Sequence, residues 1–174
     1  MRKINDDIHQ WKWTINILIM VLWIVITACE TNVQNDWVQK ILYCNNQQLR
    51  MNLITRPIQE IKSIETLPLK FEDEAGLSYL LNLNPNITAE ISYFKNIEDT
   101  SQRIISFSAN IHFTQDQQAI ETYKAIENSF QKIYGVFDGT FGNQEWIVPD
   151  SNYRVSLKLF NQKKEILITC SSIS

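Results

Sequence analysis

An apolar run near the amino terminus constrains the fold of this chain more than any other feature. Residues 13–26, WTINILIMVLWIVI, carry no charged side chain. A helix of this composition is apolar on every face, so a globular domain would have to bury it completely. The basic residues Arg2, Lys3 and Lys12 precede the run. Basic residues followed by a short apolar stretch are typical of a secretory signal peptide, whose basic end stays in the cytoplasm.

The apolar run ends in the tetrapeptide Ile26-Thr27-Ala28-Cys29. This tetrapeptide resembles the lipobox of bacterial lipoprotein precursors, in which an aliphatic residue, a small or β-branched residue and a small residue precede a cysteine. The resemblance covers about a sixth of the chain. It implies diacylglyceryl modification of Cys29 and cleavage between Ala28 and Cys29. Two or three acyl chains anchor a protein stably to a membrane, whereas one chain does not.

Two other interpretations of the run stay open. The first is an uncleaved membrane anchor, although residues 13–28 fall short of the roughly 18 apolar residues that usually span a bilayer, and Asn16 lies within them. The second is a buried core helix. Whether the run is cleaved or retained, we expect the protein to lie at a membrane of the bacterial cell envelope, with its domain facing away from the cytoplasm.

The remaining chain is long enough for one domain. We predict a signal peptide over 1–28, a lipidated cysteine with a polar tether over 29–36, and a single domain over 37–174. Apolar residues make up 44% of the chain and charged residues 20%, as in globular proteins. The net charge is −3, and residues 1–28 contribute +1, so the rest carries −4. An acidic domain gains nothing from counterion release at phosphates, which excludes nucleic acid as a partner.

The second half of the chain has clear periodicity. Apolar residues alternate over 87–93, 105–113, 153–159 and 166–170, as in half-buried strands. Between them lies a helical stripe that starts after the candidate cap Thr114 and ends at Gly135. The stripe consists of Ala119, Tyr123, Ile126, Phe130 and Ile133. The order predicts an α+β fold, an antiparallel sheet with helices packed on one face in two layers.

The first half is less regular. Asp36 is a candidate cap for a helix from Trp37 that continues toward Leu49, and a strand over 38–43 is the alternative. Leu67, Leu69 and Phe71 alternate like an edge strand, and residues 74–81 are expected to add a short helix. After residue 135, Asp138-Gly139 marks a turn and residues 146–148 a strand.

Cys44 and Cys170 are the two thiols that remain once Cys29 is acylated. In an oxidising compartment they could form a disulfide. The alternative is that each is a small buried apolar residue. Cys170 shares a strand face with Ile166 and Ile168, which favours burial without pairing.

The sequence predicts no catalytic residue, no cofactor and no metal ligand. His112 is the one histidine after the signal region, and its strand parity points it to solvent. Asp138, Glu145 and Asp150 could converge, but they also fit ordinary turns, as does the loop over 138–142. Aromatic residues could line a groove or fill the core. These are Trp37, Trp146, Tyr153 and Phe160.

We therefore expect a membrane-anchored envelope lipoprotein whose domain is a non-catalytic module that binds a protein or a ligand. An uncovered sheet face with Arg154, Lys158 and Phe160 could supply the binding surface. The alternatives are a small envelope enzyme, which would need convergent titratable groups in a cleft, and a protective lipoprotein of the immunity or inhibitor type.

Overall fold

The computed structural model describes residues 36–45, 48–98, 100–148, 151–160, 162 and 164–173. The predicted cleavage site at Ala28 and Cys29 and the tether up to residue 35 lie outside these ranges. Residues Trp37–Ser174 form one compact unit.

Ten strands are present in the described ranges. They are β1 Tyr43–Cys44, β2 Gln48–Leu49, β3 Leu69–Glu72, β4 Gly76–Asn84, β5 Ile87–Lys95, β6 Ile104–Phe113, β7 Asp138–Thr140, β8 Asn143–Ile147, β9 Tyr153–Phe160 and β10 Glu165–Ser172. Eight of them form one sheet in the order β3-β4-β5-β6-β10-β9-β8-β7, and every neighbouring pair is antiparallel. The α+β class and the antiparallel sheet are confirmed.

The described helices are α1 over 36–42, α2 Ile58–Ile64 and α3 Asp116–Tyr134, with a 3-10 turn at Arg50–Leu53. Helix α3 ends at Gly135, whose φ of 85° suits a residue without a side chain. The prediction that Thr114 caps α3 is wrong. The Thr114 amide still donates to the Asn86 carbonyl at the end of the sheet, so the helix begins two residues later.

Helix α3 packs on one face of the sheet. Tyr123, Ile126 and Phe130 are fully buried, and the Phe130 ring lies 5.3 Å from the Trp146 ring of β8. Trp146 is paired with Val155 of β9 in the strand register. The sheet residues on this side form the core, and the alternating pattern predicts them correctly for β5, β9 and β10 and for residues 107–113 of β6. The prediction is wrong at Ile105, which is exposed, because the pairing of β6 with β5 shifts register there and Ile104 is buried instead.

The first half of the chain differs from the sequence prediction in three ways. Residues 74–81 are not helical but enter β4, because Leu77, Tyr79 and Leu81 alternate toward the core opposite β5. Helix α1 does not reach Leu49, since Asn45, with a φ of 52°, reverses the chain into the β1–β2 hairpin. Helix α2, just after Pro57, is not predicted by the sequence pattern.

Candidate functional site

The face of the sheet opposite α3 carries a row of small hydroxyl side chains. Five adjacent strands each contribute one hydroxyl residue, and the strand register pairs each of these residues with the next. This hydroxyl row consists of Ser78, Ser92, Ser108, Thr169 and Ser156, on β4, β5, β6, β10 and β9. Each is next in sequence to a residue of the core face, and side chains alternate along a strand, so the row points away from α3.

Hydrogen bonds join neighbouring members of the hydroxyl row. The Ser78 and Ser92 Oγ atoms lie 2.8 Å apart, and Ser156 Oγ lies 2.6 Å from Thr169 Oγ1. Ser78 also donates to Glu90 Oε1 at 2.7 Å. Ser78, Ser92 and Ser156 are buried, and Ser108 and Thr169 are half-buried, so the row is a polar strip that is largely shielded from solvent.

Charged residues beside the hydroxyl row are matched in pairs. Lys70 Nζ lies 2.6 Å from Glu90 Oε2, and Arg154 Nη1 lies 3.3 Å from Glu145 Oε2. The hydrogen bonds from Lys70 and then Ser78 lower the pKa of Glu90 below its usual value. Two ion pairs therefore border the strip, and Lys158 of β9 adds a cation on the same face.

The sequence-predicted surface residues lie on this same face. Arg154 and Phe160 are exposed and Lys158 is half-buried, each next to a residue of the core face. His112 is exposed as the strand parity predicts. Exposed apolar side chains also belong to this face, and they are Phe71, Phe94, Ile147 and Phe160.

A buried polar network lies on the other side of the sheet. Arg50 binds Glu65 through two bonds, from Nε to Oε2 at 2.9 Å and from Nη2 to Oε1 at 3.0 Å. The Tyr93 hydroxyl of β5 donates to Glu65 Oε2 at 2.9 Å. Sequence reasoning missed this network, because Arg50 and Glu65 lie in short irregular segments without periodicity.

Arg50 also closes the end of α1. Its Nη1 donates to the carbonyl oxygens of Lys40, Ile41 and Tyr43 at 2.6, 2.9 and 2.6 Å. The last carbonyl groups of a helix have no partner within the helix, and a cation there also suits the helix dipole. The guanidinium therefore satisfies the end of α1 and Glu65 at once.

Burial and the contacts within the network together shift the pKa values of Arg50 and Tyr93. It would lower the pKa of Arg50, but the hydrogen bond with Glu65 and the nearby Tyr93 outweigh it and raise that pKa above its ordinary value. Burial, followed by the negative charge of Glu65, raises the pKa of Tyr93 well above its ordinary value. The folded state thus favours a charged guanidinium at Arg50 and a neutral phenol at Tyr93.

Cys44 and Cys170 are both buried free thiols in this structure. Cys44 Sγ donates to the Gln48 carbonyl at 3.3 Å across the β1–β2 hairpin. Cys170 lies on β10 and lines a cavity of about 250 Å³ together with Met51 and Tyr134. Burial raises the pKa of both thiols, that of Cys170 to about 12.

A larger cavity of about 510 Å³ lies beside the buried network. It is lined by Lys40, Tyr43, Asn45, Arg50, Thr66, Leu67 and Leu81. Its wall thus comes from α1, the following hairpin, the 3-10 turn, the α2–β3 connection and β4.

The other sequence candidates do not come together in a cleft. Asp138 is exposed on β7 opposite Glu145, which binds Arg154, and Asp150 lies outside the described residues. Trp146 belongs to the core rather than to a groove. Among the residues that the structure describes, no group of three or more His, Cys, Asp and Glu side chains could hold a metal ion.

No helix within the described ranges is both long and apolar enough to cross a membrane. Comparisons with protein-family models, with curated proteins and with solved structures find no match to this chain.

Proposed function

We propose that this protein is a lipoprotein of the bacterial cell envelope, anchored through acylated Cys29, whose domain is a non-catalytic module that binds a partner protein. The sheet face opposite α3, with its hydroxyl row, carries this proposal. Among the described residues α3 packs on one side of the sheet, and we infer that the partner binds on the other side.

Contacts of the buried network support this division of the two faces. Tyr93 and Phe107 are paired in the register and belong to the side that α3 contacts. The Tyr93 hydroxyl reaches Glu65, the residue directly after α2. Arg50 then joins Glu65 to the end of α1. This chain of contacts extends from the core side of the sheet to α2 and α1.

The composition of the uncovered face suits a protein partner. Non-obligate interfaces are about as apolar as the rest of a protein surface, and aromatic residues are enriched in them. Here Phe71 continues the hydroxyl row onto β3, since it is paired with Ser78. Phe94 and Phe160 are also exposed on this face. Exposed aromatic side chains beside a polar strip thus offer both apolar and polar contacts to a partner.

We propose no catalytic role because the titratable groups that converge in this domain are buried and bonded to one another. Arg50, Glu65 and Tyr93 converge, as acid and base groups of an enzyme would, but they saturate one another away from solvent. A catalytic acid or base must reach a substrate proton. We therefore assign these three residues to stability.

The anchor is tested by comparing the wild-type chain with Cys29→Ala in a bacterium, using intact mass and labelled palmitate. We expect the wild-type protein to lose residues 1–28, gain acyl mass and incorporate label, and the variant to do none of these. If the wild-type protein keeps its amino terminus and takes up no label, the lipoprotein proposal is wrong and an uncleaved anchor is the better interpretation.

The binding face is tested by a photo-reactive residue placed at Ser108 in the hydroxyl row, with Lys124 on the exposed side of α3 as the matched position. We expect one discrete protein adduct in cells from position 108 and none from position 124. Thr169→Arg in the same chain should abolish that adduct. Equal adducts from both positions, or no adduct from position 108, would contradict the proposed face.

A further inference from the structure

We propose that one end of the sheet rests in the interface of the lipid bilayer to which the chain is anchored. This inference builds on the proposed anchor at Cys29 and states how the domain stands on the membrane. The strand register brings the last residues of β5, β8 and β10 and the first residues of β6 and β9 together at this end. We call it the aliphatic end, because five β-branched aliphatic side chains are exposed there. These are Ile97, Ile105, Val136, Ile147 and Ile173.

The aliphatic end extends across most of the sheet. Ile97 follows β5, and Ile147 is the last residue of β8. Val136 lies two residues before β7. The carbonyl of the preceding Gly135 accepts a bond from the Trp146 indole at 3.2 Å, which places Val136 near the end of β8. From β5 to β7 the sheet has five strand spacings, so these side chains follow a line of about 24 Å.

The kind of side chain at this end suits lipid better than a protein partner. Val136 is 95% exposed and Ile97 is 69% exposed, more than any aromatic residue on the sheet face opposite α3. The residues that dominate protein interfaces are mainly Trp, Tyr and Arg, and Val is under-represented among them. Apolar side chains at a membrane surface are instead buried about 5–10 Å deep, at the boundary between headgroups and acyl chains. A line of aliphatic residues can lie flat along that boundary.

The amino-terminal elements of the domain lie against the same end of the sheet. The Tyr134 hydroxyl at the end of α3 contacts Met51 Sδ at 3.9 Å. The Thr55 amide donates to the carbonyl of Ile104, the first residue of β6, at 2.7 Å. Met51 follows Arg50, which bonds carbonyl groups at the end of α1. The part of the domain to which the anchor is joined is therefore close to the aliphatic end.

The chain between the anchor and the domain is short. Seven residues, 29–35, precede α1, and such a segment reaches at most about 25 Å. This is less than the roughly 30 Å diameter of a small domain, so the anchor keeps the domain at the bilayer surface. Because the tether makes the contact intramolecular, a weak apolar contact is enough to orient the domain.

Charge does not direct this contact. Lys95 and Arg103 flank the β5–β6 turn, and the sequence of the turn contains Glu98 and Asp99. The β3–β4 turn at the same end adds acidic side chains of its own. The aliphatic end therefore has no excess of positive charge that would require anionic lipids. We expect it to contact zwitterionic phosphatidylcholine.

The test uses the full lipoprotein, purified from a bacterium and reconstituted in phosphatidylcholine vesicles. A photo-reactive residue replaces Ile97 in one variant. In the matched variant it replaces Phe141, an exposed residue of the β7–β8 turn at the opposite end of the sheet. We expect at least about tenfold more phosphatidylcholine adduct from position 97 than from position 141. Intact mass of the same sample shows whether Cys29 is acylated.

Acidic substitutions should lift the aliphatic end off the bilayer. Val136→Asp combined with Ile147→Asp should reduce the lipid adduct from position 97 at least about fivefold, because charged side chains are costly to bury in lipid. Phe160→Asp, at the opposite end of β9, is the control and should change the adduct less than about twofold. Equal unfolding midpoints of these variants show that the fold is kept.

The outcomes separate this contact from the anchor. Equal lipid adducts from positions 97 and 141 of the acylated protein overturn the contact and leave the anchor standing. An adduct of position 97 with a second copy of the chain, in place of lipid, also overturns the contact. If Cys29 is unmodified, the proposed anchor fails and this inference fails with it.

Discussion

Arg50 and Glu65 form a two-point ion pair inside the domain, and their side chains are 3% and 0% exposed. Arg50 lies in the 3-10 turn, and Glu65, 15 positions later, is the residue at which α2 ends. Through this pair, α1, α2 and β5 are bonded to a single guanidinium and a single carboxylate. The irregular first half of the chain is therefore held by polar bonds as well as by apolar packing.

Arg50→Met should be strongly destabilising. The variant leaves Glu65 as an unpaired buried charge and removes the donor for three carbonyl groups, so we expect a loss of about 3–5 kcal/mol in the free energy of unfolding. Urea denaturation followed by circular dichroism measures it. Arg56→Met is the control, because Arg56 binds Glu60 at an exposed position, and its loss should be under about 0.5 kcal/mol. Similar losses in both variants would contradict a structural role for the pair.

Stability should decline in alkaline solution. Burial raises the pKa of Tyr79 and of Tyr123 from 10.0 to about 12, and that of Tyr93 well above 10.0. The protonated phenol is thus favoured in the folded state. The stability that these protonated phenols contribute is complete below pH 10 and is lost as the pH rises through their folded-state pKa values. The pKa of Cys170 is raised from 9.0 to about 12, so this thiol adds a loss of stability that begins near pH 9.

Urea midpoints between pH 8 and 11 test this expectation, with tyrosinate absorbance as a second measurement. Cys170→Ala should reduce the earliest part of the decline, and Cys44, whose pKa is also raised from 9.0, keeps a share of it. A constant midpoint across this range, or ordinary titration of these tyrosines in the folded protein, would show that they are not buried as described.

The two described cysteines should react slowly in the folded protein. The thiolate is the reactive form, and burial both raises the thiol pKa and excludes the reagent. We expect Cys44 and Cys170 to escape maleimide labelling in the native state and to be labelled after unfolding without reductant, as peptide mass analysis can show. Absence of labelling after such unfolding would instead support the disulfide that the sequence left open.

Two glycine substitutions should differ in severity. A Cβ at Gly76 would lie 1.9 Å from the Tyr93 carbonyl oxygen, so Gly76→Ala must displace β5 and should cost about 2–3 kcal/mol. A Cβ at Gly135 meets nothing within 4 Å, and only its φ of 85° opposes a side chain. Gly135→Ala should therefore cost about 1–2 kcal/mol. Thermal unfolding of both variants measures the difference, and the reverse order would contradict the strand packing at Gly76.

Periodicity predicts the second half of this fold well. The alternation over 105–113 corresponds to β6, Ile104–Phe113, and the helical stripe corresponds to α3, although Ile105 and Ile133 are exposed. These elements each bury one face over many residues, so their pattern is visible locally. Residues 74–81 were predicted wrongly because Leu80 interrupts the apolar alternation that Leu77, Tyr79 and Leu81 keep in β4.

The candidate sites were harder to predict. The hydroxyl row joins residues from five strands, and only the register between them brings the row together. Its members look like ordinary polar positions in each separate strand. Arg50 and Glu65 likewise depend on a contact between two short segments. Sequence reasoning did place Arg154, Lys158 and Phe160 on one face of β9, because strand parity alone determines it.

Strand β3 shows how this sheet keeps its outer edge from recruiting other chains. Its pairing with β4 shifts register between Leu69 and Phe71, so Lys70 occupies a bulge. The Lys70 ammonium turns across the sheet to Glu90. An uninterrupted edge would be a template for another strand, whereas a bulge with a lysine prevents such growth. If the proposed lipid anchor crowds many copies onto a membrane surface, this edge should oppose their polymerisation into fibres and keep them as separate molecules.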